Sequence, residues 1–341
     1  MCIRDSINST SYAQIINNAK DEYLEKILEL KKILKSKSSA WKASPFLSRT
    51  HGQAASPSTF GKEINVFLSR LDNEIKTLKS VQVKGKWGGA TGNFHTLVLI
   101  DEKKNWINFI KGFFKFIKTP LNTLTTQIEP HDCIAELSHS IVRINNVLID
   151  MNRDIWMYIS NDLFKLKVIK GEVGSSTMPH KVNPIDFENS EGNLELSNAL
   201  FTFFGDKLSK SRLQRDLSDS TVLRNIGVPF GHSYLAIQSL IKGFSKLEVN
   251  KEQSLKELNN NWQILGEAIQ TVMKLEGYDD AYEIIKDLTR GELLTENSYK
   301  SLINSLDISI KSKSKLLKLT PATYIGLSKS CLLYTSDAAD E

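Results

Sequence analysis

Cysteine is scarce: three residues in 341, Cys2, Cys133 and Cys331, lie far apart and show no CxxC spacing. That argues against a disulfide framework and fits a reducing compartment. The six histidines form no HExxH pair, so a zinc-enzyme signature is lacking and no metal is expected. No run of about 18 apolar residues occurs, and no membrane span is expected. The first residues carry neither the basic start nor the apolar core of a secretion signal, so the expected location is cytoplasmic. Sustained apolar–polar alternation is missing throughout, which argues against a strand-built fold.

What the chain does have is length, apolar content and helical rhythm. At 341 residues, 40% hydrophobic and 24% charged, it can bury a large core, and two domains are expected. The net charge of +5 comes from lysines spread along the chain rather than gathered in a patch. With no nucleic-acid motif beside it, this charge reads as a solvated surface.

From Ile7 to Leu34, apolar residues recur at Ile16, Ala19, Tyr23, Ile27, Leu30 and Leu34, in steps of three and four that mark one helix face. Ser56-Pro57 reads as an N-cap with a first-turn proline. Behind it follow Phe60, Ile64, Phe67, Leu71, Ile75 and Leu78 at the same spacing. A third long helix starts after Pro130, with Ile134, Leu137, Ile141, Ile144, Leu148, Met151 and Ile155 on one face. Further helical runs cover about Pro184–Lys207, Thr221–Leu247 and Glu252–Leu275. The expected fold is all-α: a long central bundle over residues 7–248 and a smaller C-terminal helical domain over 249–330.

Gly85–Gly92 (GKWGGATG) reads as a loop, and Gly171–Pro184 (GEVGSSTMPHKVNP) as a longer polar loop between two strong helices. A loop of that length is usually functional or mobile. The two ends, Met1–Ser6 and Cys331–Glu341, do not continue the neighbouring patterns. They resemble translated sequencing-adapter read-through and are expected to be foreign tails, with two of the three cysteines inside them.

The segment Gly174–Pro184 (GSSTMPHKVNP) is neither a phosphate loop nor a nucleophile elbow. On its residues alone it is a flexible stretch with exposed hydroxyls and amides, in which Lys181 can offset nearby negative charge. As a motif it closely resembles the signature loop of the fumarase/aspartase superfamily, whose general form is GSSxMPxKxNP. Its extension Ile185–Asn193 (IDFENSEGN) resembles the adenylosuccinate lyases in particular. Four further blocks are similar to that family in order and approximate spacing: Ser48–Glu63 (SRTHGQAASPSTFGKE), Thr125–Glu136 (TTQIEPHDCIAE), Gln214–Asn225 (QRDLSDSTVLRN) and Leu319–Gly326 (LTPATYIG). The similarity runs from about Ile7 to Gly326 and is closest to the bacterial branch.

The resemblance implies a helical bundle of the L-aspartase/fumarase type and a β-elimination. Fumarate would leave from adenylosuccinate, giving AMP, and from SAICAR, giving AICAR. The chemistry needs a base at the carbon, an acid at the departing nitrogen and donors for the enolate-like carboxylate. No cofactor and no metal is implied. Ser175 is then the expected general base, although a serine hydroxyl is a poor base unless its oxyanion is stabilised. Lys181 and loop amides are candidates for that stabilisation. A role for Ser175 limited to hydrogen bonding, a role for neighbouring Ser176, and deprotonation by water all stay open.

His51, within Thr50-His51-Gly52-Gln53, matches the family's general acid, and histidine can exchange a proton near neutral pH. His131 is a second candidate, but helix capping together with Asp132 is the reading favoured for it. His180 stands at a variable position of the signature and reads as a loop contact. Thr50, Gln127, Lys181, Asn183, Arg215, Ser220 and Arg224 match family substrate contacts. The planar forks of the arginines suit phosphate or carboxylate; without the resemblance they would read as surface salt-bridge partners. If one helix carries residues 215–224, Ser220 and Arg224 are an i, i+4 pair on a shared face.

The resemblance also implies a homotetramer whose active sites take residues from several subunits. The expected partners are the small-molecule substrate and copies of the chain, with no nucleic acid and no membrane. The family's amino-terminal domain and TSxD segment have no counterpart before Ile7, so little turnover is expected from these 341 residues alone. Two other readings stay in play: a different fumarate-releasing enzyme of the superfamily, such as argininosuccinate lyase, and a helical remnant without catalysis.

Overall fold

The structure is a computed structural model, and it describes residues 6–168, 178, 181–289 and 294–330. The chain divides into two compact units. One comprises Met1–Ile33, Ser69–Trp156 and Asn183–Ser245; the other comprises Leu34–Leu68, Met157–Val182 and Lys246–Glu341.

Long helices carry the first unit: α1 (Asn8–Trp41), α2 (Phe60–Ser80), α5 (Asp132–Ser160), α6 (Ile185–Lys207) and α8 (Gly227–Lys246) contribute all or part of their length. Two shorter helices, α3 (His95–Ile100) and α4 (Trp106–Phe116), follow the glycine loop, and the single-turn helix α7 (Ser218–Leu223) precedes α8. The apolar faces expected for α2 and α5 are buried at every named position. On α1 the burial follows Ile16, Tyr23, Ile27, Leu30 and Leu34, but the seam passes through Lys20 instead of Ala19. The Lys20 ammonium donates to the Val81 carbonyl at 2.9 Å, so a charged side chain lies in the interface as a snorkelled stem with its head satisfied.

The first unit also holds a polar seam. Asn145 is fully buried, and its amide nitrogen donates to Ser197 Oγ (3.3 Å), Asn198 Oδ1 (3.0 Å) and Ser233 Oγ (3.0 Å). Its carbonyl oxygen accepts from the Tyr23 hydroxyl at 3.1 Å. Ser197 and Ser233 are 2.7 Å apart, and the Ser197 hydroxyl also reaches the Pro229 carbonyl at 2.9 Å. One side chain on α5 thereby ties together α1, α6 and α8. Burial pushes the Tyr23 phenol well above its usual range, so it stays a neutral donor.

The second unit contains β1 (Pro45–Phe46), β2 (Arg49–Thr50), β3 (Gln53–Ala54), β4 (Ser58–Thr59), β5 (Phe164–Leu166) and β6 (Leu247–Val249). These pair as three antiparallel two-stranded ribbons, β1 with β4, β2 with β3 and β5 with β6. Strands of two or three residues are too short to show the alternation that sequence reading relies on. The β1–β4 pairing also moves the start of α2. The helix begins at Phe60, not behind a Ser56 cap, and Thr59 Oγ1 receives the Lys62 N–H at 3.3 Å.

Around this ribbon Phe46 stacks on Phe60 at 4.4 Å, with Tyr158 edge-on to both and Phe164 against Phe60 at 4.7 Å. Such aromatic packing gives the ribbon a rigid base. Helices α9 (Lys251–Asn259), α10 (Gly266–Leu275), α11 (Ala281–Thr289), α12 (Glu296–Ser305) and α13 (Ile310–Leu317) complete the unit. They bury Leu258, Leu265, Ile269, Met273, Tyr299, Ile303 and Leu316 in one core that includes Leu47. The single run expected over 252–275 is broken at Asn259-Asn260-Asn261, after which a 3₁₀ turn (Trp262–Leu265) leads into α10. Asparagine amides compete with the helical ladder, and here Asn261 Nδ2 donates to the Glu257 carbonyl at 2.8 Å. Among the described residues, no helix is long and apolar enough to cross a membrane.

Candidate active site

The THGQ block folds as a hairpin. Thr50 pairs with Gln53 and Arg49 with Ala54, leaving His51 and Gly52 as the two-residue turn. Both turn residues have positive φ, 53° at His51 and 74° at Gly52, as a type I′ turn requires. Glycine adopts that conformation freely, whereas a histidine adopts it at some cost. Thr50 and His51 are exposed, so the ring is presented at the hairpin tip. Arg49, which ion-pairs with Glu257, anchors the base of the hairpin within the second unit.

The binding residues expected in the first unit come together. Arg215 Nη1 donates to Gln127 Oε1 at 3.4 Å, and the Gln127 N–H donates to the Gln214 carbonyl at 3.3 Å. Arg215, Ser220 and Arg224 line one cleft with Tyr12, His131 and Asp219. They do not share one helix. Helix α7 covers only Ser218–Leu223, with Arg224 as its C-cap and Arg215 in the turn before it. Asp216 explains the interruption: its carboxylate accepts from both the Ser218 N–H (2.7 Å) and hydroxyl (2.5 Å), closing a turn where a helix would run. These bonds from Ser218 hold the Asp216 carboxyl down to about 2.

Lys181 and Asn183 are exposed in the segment leading to α6, with the Lys181 N–H on the Met178 carbonyl at 3.0 Å. Ser175, Ser176 and His180 lie outside the described residues.

Two groups lie in and behind the cleft: His131, read from the sequence as a second acid candidate or a helix cap, and Asp219, which the sequence reading leaves without a role. His131 is buried at 4% exposure and Asp219 at 6%. His131 Nε2 stands 3.6 Å from Asp219 Oδ2, and Arg215 Nη2 stands 3.5 Å from Asp219 Oδ1. Burial opposes charge on Asp219, yet His131 and then Arg215 outweigh it and hold the carboxyl below the usual range. His131 does open α5, but through its carbonyl, which accepts from Ile134 and Ala135, and not through a capping ring. The ring points elsewhere, to Asp219.

A carboxyl with a lowered folded-state pKa stabilises the fold fully above its unfolded value near 4, and loses that effect as the pH falls through the folded value. Asp219→Asn is therefore expected to be less stable than the parent above pH 5. The gap in urea midpoint should narrow below about pH 4. A gap independent of pH would show that the carboxylate charge is not the stabilising element.

Lys86 was also missed. It is completely buried, and its ammonium donates to the carbonyls of Gly89 (3.0 Å), Thr126 (3.0 Å) and Gln127 (2.7 Å). A buried lysine needs such satisfaction. It joins the glycine loop to the segment that carries Gln127. The same junction explains Gly92: at φ 84°, a Cβ there would meet the Thr125 carbonyl oxygen at 1.9 Å. A buried lysine within GKWGGATG gives no sequence signal, because lysine is ordinarily a surface residue. Among the described residues, no cluster of three or more histidine, cysteine, aspartate or glutamate side chains could hold a metal.

Comparison with known proteins gives the family. The family model described as Lyase matches residues 4–196, and that described as Adenylosuccinate lyase C-terminal matches 211–325. Adenylosuccinate lyase of Haemophilus influenzae is 48% identical over 328 residues, covering 95% of this chain and 72% of that protein. The Escherichia coli enzyme is 47% identical with the same coverages. The Dictyostelium discoideum enzyme is 50% identical over 293 residues, covering 84% of this chain and 63% of its own. Among solved structures, 3-carboxy-cis,cis-muconate lactonizing enzyme from Pseudomonas putida superposes with a TM-score of 0.76 at 19% identity, covering 96% of this chain and 74% of that one. A fumarate lyase from Mesorhizobium sp. BNC1 superposes with a TM-score of 0.77 at 16% identity, covering 95% and 74%. At those identities the structural likeness speaks for the helical fold alone, while the sequence relatives speak for the chemistry. The chain belongs to the adenylosuccinate lyase family, carbon–nitrogen lyases of the fumarase/aspartase superfamily.

Proposed function

We propose that the protein eliminates fumarate from adenylosuccinate, leaving AMP, and from SAICAR, leaving AICAR. Ser175 removes a proton from the succinyl carbon next to the carboxylate. The electron pair forms the fumarate double bond as the C–N bond breaks, and that bond's electrons stay on nitrogen. His51 supplies the proton that the departing nitrogen takes up. Lys181 and loop amides stabilise the enolate-like carboxylate, with Thr50, Gln127 and Asn183 holding the succinyl end. Arg215, Ser220 and Arg224 take the phosphate.

The observation that carries this reading is the gathering of Arg215, Ser220 and Arg224 on one cleft, with Gln127 bonded to Arg215. Two guanidinium groups and a hydroxyl around one space suit a phosphomonoester. In this reading the protein works in the cytoplasm as a homotetramer, with sites completed by residues of neighbouring subunits. The exposure of His51, Lys181, Asn183 and Arg224 in the single chain is consistent with groups that wait for a partner or a substrate.

Fumarate release by the product of the intact gene tests the reading, with adenylosuccinate and argininosuccinate offered in parallel and light scattering used to determine mass. Release from adenylosuccinate alone by a tetramer, abolished in Ser175→Ala, is the expected result. Release from argininosuccinate would move the activity to a sister enzyme. No release by a folded tetramer would leave only a helical scaffold, and an active monomer would remove the shared site.

A further inference from the structure

The cleft that holds Arg215 contains a second layer. Asp219 lies behind the guanidinium, with one carboxylate oxygen toward Arg215 Nη2 at 3.5 Å and the other toward His131 Nε2 at 3.6 Å. Neither buried atom, His131 Nε2 or Asp219 Oδ1, completes a hydrogen bond. Both stand just beyond bonding length, as groups do that close up when a ligand arrives.

The backbone at His131 is held for this purpose. Its φ is 66°, a left-handed conformation that is unfavourable for a non-glycine residue. The Glu129 carboxylate accepts the His131 N–H at 2.7 Å, and Asn122 donates to the same carboxylate at 3.0 Å. A residue kept in an unfavourable conformation by buried polar groups, with its ring aimed at a carboxylate beside a binding cleft, is not explained by packing.

We propose that His131 is a positioning residue: through Asp219 it sets the Arg215 fork for the phosphate of the nucleotide. The inference rests on the reading of Arg215, Ser220 and Arg224 as the phosphate site. The imidazole faces the far oxygen of Asp219 and the near oxygen faces Arg215 Nη2, while Arg215 Nε donates to the Asp216 carbonyl at 3.1 Å and Nη1 to Gln127 Oε1 at 3.4 Å; the N–H groups left over are those offered to the ligand. Orientation is what gives a guanidinium its advantage over a freely rotating cation. His131 itself does not touch the reacting atoms.

The test is binding of AMP and of adenosine to the full chain by calorimetry, in the parent, His131→Leu, His131→Gln, Asp219→Asn, Arg215→Leu and the double variant His131→Leu/Arg215→Leu. His131→Leu should weaken AMP about tenfold, the loss of one charge-assisted contact, and leave adenosine unchanged. His131→Gln, which can still reach Asp219 with an N–H, should recover most of the loss. In the Arg215→Leu background His131→Leu should have no further effect, since its route to the ligand is already cut. Equal weakening of AMP and adenosine would make His131 a merely structural residue and overturn the proposal, as would a full His131→Leu effect that persists without Arg215. If His131→Leu does not fold, Asp219→Asn breaks the same link, and an unchanged AMP preference in that variant overturns the proposal equally. A parent chain that binds AMP no better than adenosine would instead remove the phosphate site itself.

Discussion

His51→Asn in the intact gene product is expected to lower fumarate release by about 10²- to 10⁴-fold while leaving thermal stability unchanged or slightly raised. Two separate demands meet at this position. The turn needs a residue content with positive φ, and asparagine followed by glycine is the favoured pair for a type I′ turn. His51-Gly52 adopts that turn at φ 53° and 74°. The reaction, as we read it, needs a proton donor active near neutral pH, which asparagine cannot be. Alanine would confound the two, because it loses the acid and strains the turn together. Asparagine separates them: the hairpin keeps its geometry and only the chemistry is removed. Steady-state fumarate release and a melting curve on the same preparation suffice. Retained activity would transfer the acid role to another group, and a large loss of stability would mean that the ring, exposed as it is, holds the hairpin together.

Asn145→Ala should cost about 3–5 kcal/mol of stability. The reason is arithmetic of donors and acceptors. The Asn145 amide serves Ser197, Asn198 and Ser233 and accepts from Tyr23; Tyr23, Ser197 and Ser233 are buried and Asn198 is half-buried. Removing it leaves the Tyr23 hydroxyl without its partner and opens a void the size of an amide. Burial prevents the tyrosine from escaping by ionisation, since its phenol is already pushed far upward. Urea unfolding followed by circular dichroism measures the loss. A cost below about 1 kcal/mol would mean that the four remaining hydroxyl and amide groups re-pair among themselves.

The bundle was legible because its helices are long and the buried faces of α2 and α5 repeat at every expected position. Phe60 to Leu78 on α2 and Ile134 to Ile155 on α5 are buried wherever the spacing of threes and fours placed them. Legibility failed where a polar side chain competes with the backbone. Asp216 captures Ser218, so α7 starts only at Ser218 and Arg215 stays outside it, and the Asn259–Asn261 tract splits the run after Glu252. It also failed where a charged residue is buried, because Lys20 and Lys86 read as surface by type and are core by contact. The named site residues came from motif resemblance, and the groups behind them did not. Asp219 and His131 are far apart in sequence, and nothing local to either indicates that the fold brings them within 3.6 Å.

Lys86 has one more consequence. Its single ammonium bonds carbonyls from two loops, Gly89 on one side and Thr126 and Gln127 on the other. Moving either loop alone costs this buried ammonium part of its carbonyl shell, so the two loops are coupled through it. The freedom of Gln127 is thus inherited from a residue that never meets the ligand. A binding contact tied to such a latch loosens only at the cost of the carbonyl shell of a buried charge.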